Sequence, residues 1–167
     1  MRATEFLAEV GDSPYQLPKR WKGDGFNASS LSVRLPSGKE LQIEIHYENK
    51  KALVNFFVGG YQSVTGEGDA VKIFSTVGTA INDYVTKRRP YVLAFTGAIN
   101  ERHPGRIRLY DRLANRWLTL PGLRGYVNLT DREELWPGSL VSFIDDIQDI
   151  SNQKIYVLAS PAWMKSL

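Results

Sequence analysis

Cysteine is absent from these 167 residues, and histidine and methionine occur only twice each. The missing thiol excludes a disulfide framework, a thiolate metal site and a catalytic cysteine. Two histidines, His46 and His103, are too few for an all-histidine zinc site. The first residues lack the apolar core of a secretory signal. Nowhere do the roughly 18 consecutive apolar residues of a membrane span occur. No membrane partner is therefore expected, and with cysteine absent the reading is a cytoplasmic protein. Charge of one sign is scarce too: 21 Lys and Arg against 18 Asp and Glu leave +3. With no helix-turn-helix, RNP or Walker pattern, specific nucleic-acid recognition is not expected. A G-x-S-x-G elbow is missing, so a serine hydrolase has no nucleophile.

What is present is an ordinary core-forming composition, 43% hydrophobic and 23% charged, which rules out a disordered chain. The length suits one domain, and no repeat at a period of about 20–50 residues divides it. Residues 1–28, with Gly11, Pro14, Pro18, Gly23 and Gly25 around Trp21, read as an irregular N-terminal arm. Residues 29–167 read as a single α/β domain. Alternation of Leu31, Val33 and Leu35, then of Leu41, Ile43, Ile45 and Tyr47, predicts two half-buried strands joined by the turn 36–39. The apolar run 52–58 completes an antiparallel meander. From Ala70, apolar residues recur at spacings of three and four through Ile73, Phe74, Val77, Ala80, Ile81 and Tyr84, predicting an amphipathic helix that ends at Lys87-Arg88-Arg89 before Pro90. A buried strand (91–96), a second helix (106–118) and a strand (125–129) follow. After them come a short helix (131–136) and strands at 140–144 and 154–159. The order implies an α+β fold with a mixed, mostly antiparallel sheet flanked by helices.

Three places can carry chemistry. The segment Val64-Thr65-Gly66-Glu67-Gly68-Asp69-Ala70 sets two glycines ahead of a helix, where backbone amides and the helix dipole can hold a pyrophosphate. The same residues also read as a tight turn. Tyr110 lies on the inward face of the second helix with Leu113, Ala114 and Trp117, and a phenol can act as general acid toward a departing thiolate; a core tyrosine is the other reading. Glu44 and His46 share the polar side of their strand, where either can take a proton from a substrate amine if that side lines a cleft. Arg108, Arg112 and Arg116, four residues apart, form an exposed stripe suited to a solvated face, or else to a phosphate, an acidic partner or RNA. Asp145, Asp146 and Asp149 lack oxygen-ligand loop spacing, so no metal is expected.

The glycine turn before a helix, the Leu109-Tyr110 pair and the later Gly125-Tyr126 together resemble the GNAT superfamily of N-acetyltransferases over roughly residues 30–130. The resemblance implies acetyl-CoA as donor, its pyrophosphate held by amides of 64–70. It further implies Tyr110 as acid to the CoA thiolate and an amine acceptor attacking directly. The strings TGEGDAVKIFSTV and RIRLYDRL are similar to bacteriophage proteins. That implies a phage-encoded protein acting on a target in the host cytoplasm. The alternative is an inactive protein of the same fold that binds and modulates a host protein through the arginine stripe and Trp21, Trp136 and Trp163.

Overall fold

The computed structural model describes residues 14–23, 27–59, 70–99 and 105–167. Seven strands form one sheet: β1 (Lys22–Gly23), β2 (Ala28–Arg34), β3 (Glu40–Glu48), β4 (Lys51–Val58), β5 (Val92–Ala98), β6 (Val127–Asn128) and β7 (Gln153–Ala159), in the order β1-β2-β3-β4-β5-β7-β6. Among the described residues every pairing is antiparallel except β4 with β5. The helices described are α1 (Ala70–Arg88), α2 (Gly105–Trp117), α3 (Leu140–Ile147) and α4 (Pro161–Ser166). This is the α+β class expected from the order of elements.

The meander forms because each strand alternates as a half-buried strand must. Leu41, Ile43 and Ile45 of β3 are fully buried while Gln42, Glu44 and His46 point to the opposite face. Asn49 and Lys50 adopt left-handed φ values of 48° and 63°, the two-residue turn whose twist suits a tight hairpin between β3 and β4. Helix α1 buries Ile73, Val77, Ala80, Ile81 and Val85 along one stripe. It stops where Arg89 turns left-handed at φ 46°, because Pro90 disfavours a further helical residue before it.

Two cores sandwich the sheet. On one face α1 and α2 pack over Ile43, Val54, Phe56, Leu93, Phe95 and Leu158. On the other, α3 packs over Leu53, Val92, Ala94, Val157 and Ala159. No helix among the described residues is long and apolar enough to cross a membrane.

Three expected elements take another form, and two elements, β1 and α4, were not expected. Residues 140–144 are not a strand but the start of α3. Leu140, Phe143, Ile144 and Ile147 recur at helical spacing and face the second core, leaving Asp145 and Asp146 exposed. The strand at 125–129 shrinks to Val127–Asn128, since Gly125 holds φ 86° against Pro161. The expected helix at 131–136 is one 3-10 turn, Glu133–Leu135. Helix α4, not anticipated, begins at Ser160, whose Oγ accepts from the Trp163 amide at 3.1 Å. Of the expected irregular arm, Tyr15 and Trp21 are tied to α1, whereas Lys22–Gly23 form β1 on the edge of the sheet and Ala28 already belongs to β2. Tyr15 N donates to Thr76 Oγ1 (2.9 Å), and Trp21 Nε1 donates to Asp83 (2.9 Å) with its ring edge-on to Tyr84.

Candidate active site

The one parallel pair is also the shortest of the long-strand pairings. β4 and β5 are in register only at Lys51–Val92, Ala52–Leu93 and Leu53–Ala94. Beyond that, β4 runs on to Val58 held by β3, and β5 runs on to Ala98 held by β7. The two strands therefore part, and the sheet opens toward their carboxyl ends. In α/β sheets a ligand crevice forms at such a place, outside the carboxyl ends of parallel strands where the chain order switches. The connection from β4 to β5 is α1 itself, so the N-terminus of α1 stands at the same end of the sheet.

On the α1–α2 face an aromatic bridge crosses the parting. Phe56 of β4 meets Phe74 of α1 edge-on at 6.0 Å, and Phe74 meets Tyr110 of α2 at 6.0 Å. The Tyr110 ring in turn lies against Gly97 of β5, so close that a Cβ there would sit 2.8 Å from Tyr110 Cδ2. Above the bridge a groove of about 220 Å³ runs between α1 and α2, floored by Phe74, Leu109, Leu113 and Trp117. Arg112 and Arg116 rim it. Both are exposed, and neither is ion-paired among the described residues. An apolar floor with two guanidiniums at its edge suits a ligand with an aliphatic arm and phosphates.

The opposite face presents polar groups. Glu44 sits directly across from Asn55 of β4. Its carboxylate accepts from Gln42 Nε2 at 3.1 Å and lies 3.6 Å from His46 Nε2. Both Glu44 and His46 are about a third exposed or less and line a cleft with Lys22 and Ser30. Asn55 is buried, and by strand alternation it shares its face with Leu53, as Thr96 does with Ala94. Asn55 and Thr96 thus lie two residues past the last paired rung, on the same face as Leu53 and Ala94. Gln148, just after α3, donates from Nε2 to Thr96 Oγ1 at 2.7 Å, while its Oε1 is buried without a partner.

The candidate residues do not converge: Tyr110 is buried on the α1–α2 face, while Glu44 is on the opposite face, one strand away from the opening, in a cleft bordered by β1 and β2. Of the anion-binding turn, Ala70 is the first residue of α1; Val64, Thr65, Gly66, Glu67, Gly68 and Asp69 lie outside the described residues. Arg112 and Arg116 belong to the stripe that the sequence offers as a solvated face or as a contact for a phosphate, an acidic partner or RNA. Their place on the groove depends on how α2 lies against α1, which the spacing of four does not reveal. Asn55 and Gln148 carried no sequence signal at all. The three tryptophans are half-buried fold members: besides Trp21, Trp136 Nε1 donates to the Leu129 carbonyl (2.7 Å) and Trp163 Nε1 to that of Leu135 (2.9 Å). Gly125-Tyr126 is structural as well. The Tyr126 hydroxyl donates to the Pro90 carbonyl at 2.7 Å, and burial pushes its pKa up to about 12.

A second polar cluster fixes α2 to the sheet next to Tyr110. Asp111 accepts from Lys154 Nζ (2.9 Å) and from the Tyr156 hydroxyl (2.8 Å). Partial burial raises the Asp111 carboxyl, but the hydrogen bonds from Lys154 and Tyr156 together outweigh it and hold the group below its ordinary value. Burial and the bond to Asp111 push the Tyr156 hydroxyl upward.

No family model matches the chain, and no curated protein matches it in sequence. Among solved structures, a variant of spermidine N-acetyltransferase from Vibrio cholerae is similar at 14% identity and a TM-score of 0.40, covering 80% of this chain and 64% of that one. Two chimeras of the Vibrio cholerae enzyme and hSSAT are similar at 14% and 13% identity. Their TM-scores are 0.36 and 0.38, covering 84% and 83% of this chain and 71% and 69% of theirs. The chain thus spans less than two thirds of the first of these proteins, and a likeness of this size is one of partial shape.

Proposed function

We propose that the protein is an acyl-CoA-dependent N-acyltransferase, using acetyl-CoA as donor and an amine as acceptor. The observation that carries the reading is the parting of β4 and β5 beneath an apolar groove rimmed by Arg112 and Arg116. The groove fits the donor chemically. Phe74, Leu109 and Leu113 offer aliphatic and aromatic contact to a pantetheine arm, and the two guanidiniums offer charge-assisted bonds to its phosphates. The amides of residues 64–70, directly before and at the start of α1, would add to the phosphate site.

Acetyl-CoA supplies the acyl group as a thioester; the acceptor nitrogen forms the C–N bond as the C–S bond breaks. On the polar face Glu44 would take the proton that the nitrogen loses, directly or through His46. On the other face Tyr110 would hand its proton to the sulfur and regain one from solvent. The products are an amide and the free thiol, with no acyl-enzyme required. Holding two substrates against one opening supplies much of the rate.

Isothermal titration with acetyl-CoA tests the reading, with free CoA as a second ligand. Binding in the micromolar range is expected, and an Arg112→Glu/Arg116→Glu variant with an unchanged melting temperature should bind at least tenfold more weakly. No heat at millimolar ligand would refute the donor assignment. A second reading rests on the exposed row Arg108, Arg112 and Arg116: a phage-encoded protein of the same fold that binds and modulates a host protein without chemistry. A pull-down from host lysate that returns one stoichiometric partner, lost on replacing the three arginines, together with no acetyl-CoA binding, would favour it.

A further inference from the structure

We infer that a small neutral polyhydroxyl ligand, a single sugar or cyclitol ring, binds in a niche between α2 and the β6–β7 edge of the sheet. The niche measures about 240 Å³, and every residue lining it is polar. It is separate from the groove above Phe74. Helix α2 turns Arg112 and Arg116 to the groove and Asp111 and Asn115 to the niche, and no lining residue is shared. The walls are held by their own bonds. Asp111 Oδ1 accepts from Lys154 Nζ and from the hydroxyl of Tyr156, which is 1% exposed. Asn128 ties the sheet edge to α2: its Nδ2 donates to Asn115 Oδ1 at 3.2 Å, and its Oδ1 accepts from the Thr130 amide at 2.9 Å. Thr130 Oγ1 in turn accepts from the Val157 amide at 3.2 Å. These bonds leave Asp111 Oδ2, the Asn115 Nδ2 hydrogens and the Asp131 carboxylate without a partner among the described residues. Asp131 is close enough for its charge to act on the Tyr156 hydroxyl.

The charges select the class of ligand. Two carboxylates against one ammonium repel an anion. A metal ion would find only those two carboxylates, one already held by Lys154, and no third acidic or histidine side chain joins them among the described residues. An organic cation brings donors alone and would face the donors of Lys154 and Asn115. An apolar ligand would bury these polar groups unpaired. A hydroxyl both donates and accepts. Neighbouring hydroxyls on one ring can therefore give hydrogens to Asp131 and Asp111 Oδ2 while taking them from Asn115 and Lys154. The niche is smaller than the roughly 300–1,000 Å³ of drug-sized ligand sites, which limits the occupant to one ring. The inference goes beyond the acyltransferase reading and does not depend on it.

The test uses the full chain, uniformly labelled with nitrogen-15, titrated separately with D-ribose, D-glucose, D-galactose and myo-inositol. Tetrahydropyran, a ring of similar size without hydroxyls, is the control; calcium chloride and sodium phosphate probe the charged alternatives. At least one polyol is expected to move the side-chain amide signals of Asn115 and Asn128 saturably at millimolar concentration. Tetrahydropyran and both salts should leave them in place. Asp131→Ala should weaken that polyol at least tenfold at an unchanged melting temperature, because Asp131 makes no hydrogen bond or ion pair with any described residue. Asn115→Asp, which still accepts from Asn128 but loses the two free hydrogens, should weaken it likewise, read at the Asn128 signal. Movement by calcium or phosphate alone, equal movement by tetrahydropyran, or no movement by any polyol would overturn the inference. So would parent-like polyol binding in both variants. Either result leaves the donor assignment untouched, since acetyl-CoA calorimetry reads the groove on the other side of α2.

Discussion

Gly97→Ala tests whether the Tyr110 ring is seated where the strands part. The added Cβ would lie 2.8, 3.2 and 3.3 Å from three atoms of the Tyr110 ring, which is itself 6% exposed and wedged against Phe74. Phe74 and Tyr156 flank the ring at 6.0 and 6.3 Å, so the substitution overpacks the core, at about 1–3 kcal/mol. Alanine offsets about 0.4–1 kcal/mol of this by restricting the unfolded chain, as Gly97 has no left-handed requirement. The net loss is between about 0 and 2.6 kcal/mol, or up to roughly 10 °C in melting temperature for a chain of this size. Urea unfolding of Gly97→Ala, Tyr110→Ala and the double variant measures it. With the ring removed, the same glycine substitution should become neutral or stabilising, giving a coupling of about 1 kcal/mol or more. A Gly97→Ala substitution with the same effect in the presence and absence of the Tyr110 ring would refute the contact.

Other outcomes follow from the same geometry. Because the folded Asp111 carboxyl lies below its ordinary value, its stabilising contribution is complete above that value and is lost as pH falls through the lower, folded one. Unfolding followed from about pH 5 to pH 2 should therefore show a steeper loss for the parent than for Lys154→Met/Tyr156→Phe, and parallel curves would contradict this. Tyr110→Phe should lower kcat by about 10²–10⁴ with acetyl-CoA affinity unchanged, read by thiol release. Glu44→Gln should lower the rate most at low pH, where the amine must still lose a proton, without moving the melting temperature by more than about 2 °C. Trp21→Phe should cost about 0.5–1.5 kcal/mol through the lost bond to Asp83, measured by urea melts.

The parts legible in the sequence are those governed by local period. Leu41, Ile43 and Ile45 announce a strand and its buried face without any knowledge of neighbours, and Ile73 to Tyr84 announce α1 in the same way. The run from Leu140 to Ile144 misleads because five largely apolar residues suit a strand as well as a helix. Only Ile147, beyond the two aspartates, completes the helical stripe. The opening itself has no local signature. It consists of pairing that stops after Leu53 and Ala94, and strand residues look alike whether paired on one edge or two. For the same reason Gln148 and Thr96, 52 positions apart, become neighbours only through the way α3 lies on the sheet. Tyr110 and Glu44 were legible as chemistry, yet not as occupants of opposite faces.

The turn between β3 and β4 sets more than a hairpin. The Lys50 carbonyl accepts from the amide of Tyr91 at 2.7 Å, and Lys50 Nζ reaches the Tyr91 hydroxyl at 3.2 Å and its ring centroid at 4.4 Å. β5 is thus moored to the turn at the closed end of the wedge, while residues 54–58 and 95–98 project past the last rung like the two arms of a clothes-peg. At about 3.3 Å per residue each arm is roughly 13–16 Å long, so a few degrees at the pivot displace the tips by about an ångström. Lengthening the 49–50 turn by one residue should accordingly alter the width of the opening from its far end, touching none of the groups that line it.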